Sequence, residues 1–290
     1  MLKGDIISLG IIRRKRLAAC VVAVSFAAAA VLTGCGAASG SGSSGAGIGE
    51  KYLPVSITYV ENGDEENKIV SSYTYDEHGY PVKRDHEEHG TMLTDTYENQ
   101  YREDGTLSEV KLTKSYYADD PAETGTIKIS ETYDENGWLA VREESGWTTK
   151  ETRDDKGRID SRTLCPDGSE QYMTVYDYSY KDSDEDGVSM TAEVNATSYD
   201  GGKAGEPAAN RTVLFNDDGL FKSMVFVEID AIPQWDFDYE MNDGLVTKAV
   251  MHYEDFETYE YRFEYDTSIP ETKVSAERYA DFMNRLYGLD

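Results

Sequence analysis

Tyr259-Glu260-Tyr261-Arg262-Phe263-Glu264-Tyr265 alternates ring and charge without a break. The same rhythm carries Trp235, Phe237, Tyr239 and Met241, interleaved with Asp236, Asp238 and Glu240, and it lines up Tyr172, Thr174, Tyr176, Tyr178 and Tyr180. Successive side chains on a strand point to opposite faces, so each stretch predicts a strand with one aromatic and one polar face. Such half-buried strands suit an antiparallel sheet, because parallel sheets are covered on both sides. The remaining composition fits a folded, thin-cored chain. Among 290 residues, 28 Lys+Arg oppose 56 Asp+Glu for a net charge of -28, and 22 Tyr argue against an acidic disordered chain. The absence of a basic patch in the body of the chain excludes nucleic acid as a partner.

Between the strands a short punctuation recurs: Asp76 to Gly79, Asp134 to Gly137, Asp154 to Gly157 and Asn216 to Gly219, with looser copies ending at Gly105, Gly168 and Gly244. An opening Asp or Asn bonds the backbone ahead of it, and the Gly three places on takes the left-handed conformation that returns the chain as a bulged hairpin. Tyr75-Asp76-Glu77-His78-Gly79 and Tyr133-Asp134-Glu135-Asn136-Gly137 resemble the tyrosine–aspartate (YD, RHS-like) repeats of bacterial surface proteins. That resemblance implies a β-sheet scaffold without catalytic residues. The expected fold is all-β: an extended antiparallel hairpin-repeat sheet of roughly fourteen to sixteen strands over residues 51–270. A short helix within 271–290 follows, since Tyr279, Phe282, Met283 and Leu286 fall on one helical face behind Ser275 as N-cap.

The first 34 residues read as an export signal. Arg13 to Arg16 form a basic block, and Leu17 to Leu32 run without charge. Leu32-Thr33-Gly34-Cys35 resembles the bacterial lipobox, which implies cleavage before Cys35 and a diacylglycerol on its sulfur. Residues 35–50, rich in Gly and Ser, form a tether with a reach of roughly 20 Å. The expected location is the extracytoplasmic face of a cell membrane, held by lipid at Cys35. Of the three cysteines, Cys20 would leave with the signal and Cys35 would carry lipid, so Cys165 has no disulfide partner.

Three clusters are candidate sites. Asp182, Asp184 and Asp186, before Gly187, carry the oxygens of a calcium loop, with Glu193 at its closing position. The flanks alternate as strands, so the competing reading is a solvated acidic hairpin tip. His78, His86 and His89 crowd together, but their spacing is not that of a helical zinc site, and exposed hairpin decoration is expected. Trp138 and Trp147 each follow a glycine, and the stretch between Gly137 and Gly146 resembles Gly-Trp cell-wall-binding repeats. They are candidate glycan-stacking residues, against packing into the aromatic face. No nucleophile motif is present, and with so many acids no carboxylate pair stands out. The expectation is a non-catalytic scaffold or binding module, with a surface protein or glycan as partner and no cofactor other than candidate calcium.

Overall fold

The computed structural model describes residues 51–88, 90–117, 124–166, 168–226, 234–253 and 257–287. The expected export signal with Leu32, Thr33 and Gly34, the expected lipid site Cys35, the expected tether and His89 lie outside them. In chain order the strands are β1 (Lys51–Tyr52), β2 (Ser56–Glu61), β3 (Ile69–Tyr75), β4 (Pro81–Glu88), β5 (Thr91–Tyr101), β6 (Leu107–Tyr117) and β7 (Thr124–Tyr133). There follow β8 (Leu139–Glu144), β9 (Trp147–Arg153), β10 (Ile159–Pro166), β11 (Thr174–Asp182), β12 (Met190–Asp200) and β13 (Lys203–Ala204). The last are β14 (Ala208–Phe215), β15 (Phe221–Phe226), β16 (Gln234–Asn242), β17 (Leu245–Tyr253), β18 (Glu257–Glu264) and β19 (Lys273–Val274), before the helix α1 (Ala276–Leu286).

From β2 to β12 and from β14 to β18 each strand pairs antiparallel with the next, and β12 reaches past the short β13 to β14. The sheet then shuts on itself. β18 pairs with β2 from Tyr259 opposite Glu61 to Glu264 opposite Ser56, completing an all-β closed barrel of sixteen strands. This corrects the open hairpin-repeat sheet expected from the sequence and, with it, the YD/RHS-like architecture. The strands and their count were local properties. The joining of β2 to β18 links residues about two hundred positions apart, and it removes the two exposed edges an open sheet would leave.

The Asp-x-x-Gly turns all sit at one end of the barrel and share one set of bonds. Oδ1 of Asp76 accepts from the amides of His78 and Tyr80 at 3.0 and 2.9 Å, and Oδ1 of Asp134 and Asp154 does the same two and four residues ahead. Asn216 repeats the pattern with its amide oxygen. A register shift follows in the paired strands, as at Thr74/Tyr75 and Thr132/Tyr133. These bulges strengthen the local twist, which helps curl the sheet toward closure.

Helix α1 crosses this same end. Oγ of Ser275 accepts from the Arg278 amide at 3.2 Å, so the helix begins on a side-chain cap. Its buried face presents Tyr279, Phe282, Met283 and Leu286, continued by Tyr287. Three polar staples hold it. Arg278 donates to the carbonyls of His78 and Gly79 and stacks on Tyr80; Asn284 donates to Gly219 at 2.9 Å and accepts from Phe221 at 3.0 Å; the Tyr279 hydroxyl accepts from Val246 at 2.8 Å. The ribbon of β1 and β19 lies at the same end, where Lys51 donates to Gly244 at 2.5 Å.

The barrel interior has two different walls. On one, rings meet in series from Phe215 to Phe221, Phe237, Tyr287 and Tyr261, with centroids 5.2–6.1 Å apart. On the other, buried ion pairs run from strand to strand: Arg84 with Asp95 at 3.3 Å, Arg142 with Glu131 at 2.6 Å, and Arg162 with Glu151 at 2.7 Å. The outside carries cross-strand and same-strand charge pairs, such as Lys181 with Glu193, Lys248 with Glu260, and Lys83 with Asp85. A barrel that spans a bilayer presents an apolar band to lipid and keeps its polar groups inside. Here rings and buried ion pairs face inward, and the outer rows carry further, solvent-exposed ion pairs.

Candidate ligand cavity

Beneath α1, between the β9–β10 turn and the inner faces of β11, β14 and β15, lies a cavity of about 360 Å³. That is within the range of small-molecule sites. Tyr178 and Tyr180 reach it from alternate positions of β11, Val213 and Phe215 from β14, and Phe221 from the start of β15. Its mouth is rimmed by the exposed Lys156, Asp217 and Glu277. Ala280 and Asn284 of α1 form one lip.

Four arginines line this otherwise ring-rich space: Arg153, Arg158, Arg211 and Arg285. Arg158 pairs with Asp154 at 2.6 Å and stacks 4.3 Å over the Tyr180 ring. Arg153 bonds Glu151 and Asp281, each at 3.2 Å, and stacks 4.8 Å over Trp138. Arg285 bonds Glu151 at 3.0 Å and Asp281 at 2.9 Å. Glu151 therefore anchors three guanidiniums, those of Arg153, Arg162 and Arg285. Burial alone would push its carboxyl up, but the charges of Arg285, Arg162 and Arg153 together hold it far below the usual carboxylate range.

Arg211 differs from the other three. It is 8 % exposed, and its Nη2 donates to the Tyr178 hydroxyl at 2.7 Å and Nη1 to Asn210 Oδ1 at 3.1 Å. It stacks against Tyr176, Tyr178 and Phe226. Its buried Nε has no partner, as is true of Arg153 as well, but Arg211 alone of the four has no carboxylate pairing with it among the described residues. Sequence reading passed over this residue. The available signal was its parity: Arg211, Val213 and Phe215 share one face of a strand whose inward register is otherwise apolar.

The residues singled out from the sequence are dispersed. Trp138 is half-buried at the α1 end, in the cavity wall, with Arg153 over its ring. Trp147 is 55 % exposed at the opposite end of β8, a strand length of roughly 20 Å away. One ring stack cannot include both. Asp182, Asp184 and Asp186 stand exposed on the β11–β12 turn, and among the described residues no three His, Cys, Asp or Glu side chains converge on a cation position. Glu193 is engaged elsewhere, with Lys181 at 2.7 Å, and the Lys222 ammonium already donates to the Asp186 carbonyl at 3.0 Å. Cys165 is a buried free thiol.

His86 departs from the expected exposed decoration: it faces inward and is 2 % exposed. Burial, then the charges of Arg84 and Lys114, lowers its pKa to about 4, against a raising influence from Asp85. A histidine kept neutral in the fold and protonated in the unfolded chain costs stability as pH falls from about 6.5 to about 4. The shift corresponds to at most about 3 kcal/mol. Relative to His86→Gln, the unfolding free energy of the native chain should therefore drop by about 2–3 kcal/mol between pH 7 and 4. Urea titrations at pH 7, 5.5 and 4 measure it, and a constant difference would mean that the imidazole charges freely in the folded barrel.

No family model matches this chain, and no curated protein matches it. Among solved structures it is similar to a porin-like protein from Bacteroides uniformis, at 12% identity and a TM-score of 0.31, covering 74% of this chain and 99% of that one. A porin-like protein from Bacteroides vulgatus superposes at 12% identity and a TM-score of 0.35, covering 75% and 100%. The pore of a Photorhabdus luminescens Tc holotoxin matches at 11% identity and a TM-score of 0.20, over 70% of this chain and 15% of that one.

Proposed function

We propose that this chain is a lipid-anchored, extracytoplasmic barrel that binds a small ligand in the cavity beneath α1 and does no chemistry on it. The observation that carries this reading is the cavity itself: a ring-lined space of about 360 Å³ that opens at a polar rim. Residues 1–34 act as the export signal, Cys35 as the lipid attachment point and residues 35–50 as the tether. The water-facing wall supports that division of labour, since a barrel with charged outer rows needs an acyl anchor to stay at a membrane. A second reading, glycan stacking at the other end, rests on the exposure of Trp147 beside a wide depression lined by Lys128, Glu143 and Glu144.

Both halves of the proposal have direct tests. Metabolic palmitate labelling should mark the native chain and not Cys35→Ala; equal labelling of the two would remove the anchor. N-phenyl-1-naphthylamine, an uncharged probe of apolar sites, should bind the unlipidated Cys35→Ala chain saturably at one site. Ala280→Phe, which places a ring in the mouth, should abolish that binding. Unsaturable binding, or binding indifferent to Ala280→Phe, would remove the cavity as a site.

A further inference from the structure

We propose that the cavity beneath α1 selects an organic anion, with Arg211 holding its oxyanion head and the tyrosine and phenylalanine rings holding its aromatic or aliphatic body. Three of the four arginines in the cavity wall have carboxylate partners; among the described residues Arg211 has none. Its cation is nonetheless buried, with one N–H unpartnered. A buried charge without a counter-charge is strongly disfavoured. Stacking on Tyr176, Tyr178 and Phe226 offsets part of that cost and fixes the plane of the guanidinium, but it supplies no negative charge. An arriving oxyanion in the cavity that Arg211 lines supplies the missing charge.

The depth of the seat sets the shape of the ligand. Phe215 lies at the rim end of β14 and Arg211 four residues further in, about 13 Å along the strand. Val213 and Phe215 on β14, with Tyr178 and Tyr180 on β11, line the walls between them. A bare inorganic anion would satisfy Arg211 but leave the ring-lined channel empty. A neutral apolar molecule would fill the channel but leave the cation uncompensated. A carboxylate, or a phosphate or sulfonate monoester, on a body of naphthalene size does both. The acidic rim residues Asp217 and Glu277 disfavour multiply charged anions at the entrance.

This assignment requires that the cavity bind at all, and a matched pair of probes separates the two questions. 1-Anilinonaphthalene-8-sulfonate carries the skeleton of N-phenyl-1-naphthylamine plus one negative charge. On the unlipidated Cys35→Ala chain the sulfonate should bind at least tenfold more tightly than the neutral probe. Arg211→Gln should erase that preference while the neutral probe still reports a formed cavity, and Arg211→Lys should restore part of it. Displacement by 1-naphthoate and by 1-naphthyl phosphate, with 1-naphthylmethanol as control, ranks the heads. If both probes bind alike and Arg211→Gln changes neither, the anion assignment is overturned and the cavity reading survives. If sodium chloride alone displaces the sulfonate as well as naphthoate does, Arg211 takes a simple halide and the assignment is likewise overturned. If neither probe binds, both fail together.

Discussion

Glu151→Gln is expected to lower the melting temperature by about 10 °C and the unfolding free energy by about 3–5 kcal/mol. The carboxylate is buried, and it is the shared partner of Arg153, Arg162 and Arg285. Arg285 belongs to α1 and the other two to β9 and β10, so this one group ties the helix to the wall. The amide of Gln keeps the shape and removes the charge, leaving three guanidiniums in a low-dielectric interior with less than they need. Arg153 and Arg285 retain Asp281, which bounds the loss. The same group predicts a pH dependence. Its folded pKa is depressed, so its stabilisation is complete above the unfolded carboxyl value of about 4.5 and is lost progressively as pH falls below it. The native chain and Glu151→Gln should therefore converge in stability toward pH 2. Parallel denaturation curves from pH 7 to pH 2 measure this; a gap that stays constant would show that the three arginines do not favour the ionised carboxylate in the folded barrel.

Gly79→Ala is expected to cost about 3 kcal/mol or more, against about 1 kcal/mol for Gly63→Ala. Both glycines have positive φ, 76° at Gly79 and 73° at Gly63, so an alanine strains the backbone about equally at either. They differ in what lies beside them. A Cβ at Gly79 would stand 2.6 Å from the Glu271 carbonyl oxygen and 3.3 Å from the Arg278 guanidinium; at Gly63 it would meet nothing within 4 Å. The excess is the cost of pushing the segment leading into α1 off the turn. Chemical denaturation of both variants reads the difference, with near-ultraviolet tyrosine dichroism reporting loss of ring packing around the helix. Equal losses would mean that α1 yields freely at this point.

How far the sequence disclosed this molecule follows from the range of each signal. Period-two patterning and Asp-x-x-Gly turns are encoded within ten residues, and Tyr259 to Tyr265 or Asp134 to Trp138 were readable on sight. Ser275 and the apolar stripe of α1 were equally local. Closure was not, because inward rings and outward charges look the same on a flat sheet and on a curved one; only the register between β18 and β2 distinguishes them. The cavity was hidden for a related reason. Arg211, Arg158 and Arg285 come from two strands' neighbourhoods and the helix, and each is surrounded in sequence by ordinary polar residues. Trp138 drew attention as a ring beside a glycine, while the cation stacked on it, Arg153, is fifteen positions away.

The ribbon formed by β1 and β19 bears on how the barrel would sit beneath the lipid anchor proposed at Cys35. Lys51 reaches Gly244 and Asp218 at the end of the barrel that α1 crosses. An acyl hook sixteen residues upstream would thus pull that pole of the molecule toward the bilayer and turn the pole bearing Trp147 and Tyr172 outward. The ligand doorway would then hang within a short leash of the lipid headgroups, placed to receive amphiphiles leaving the membrane before those arriving from bulk solution.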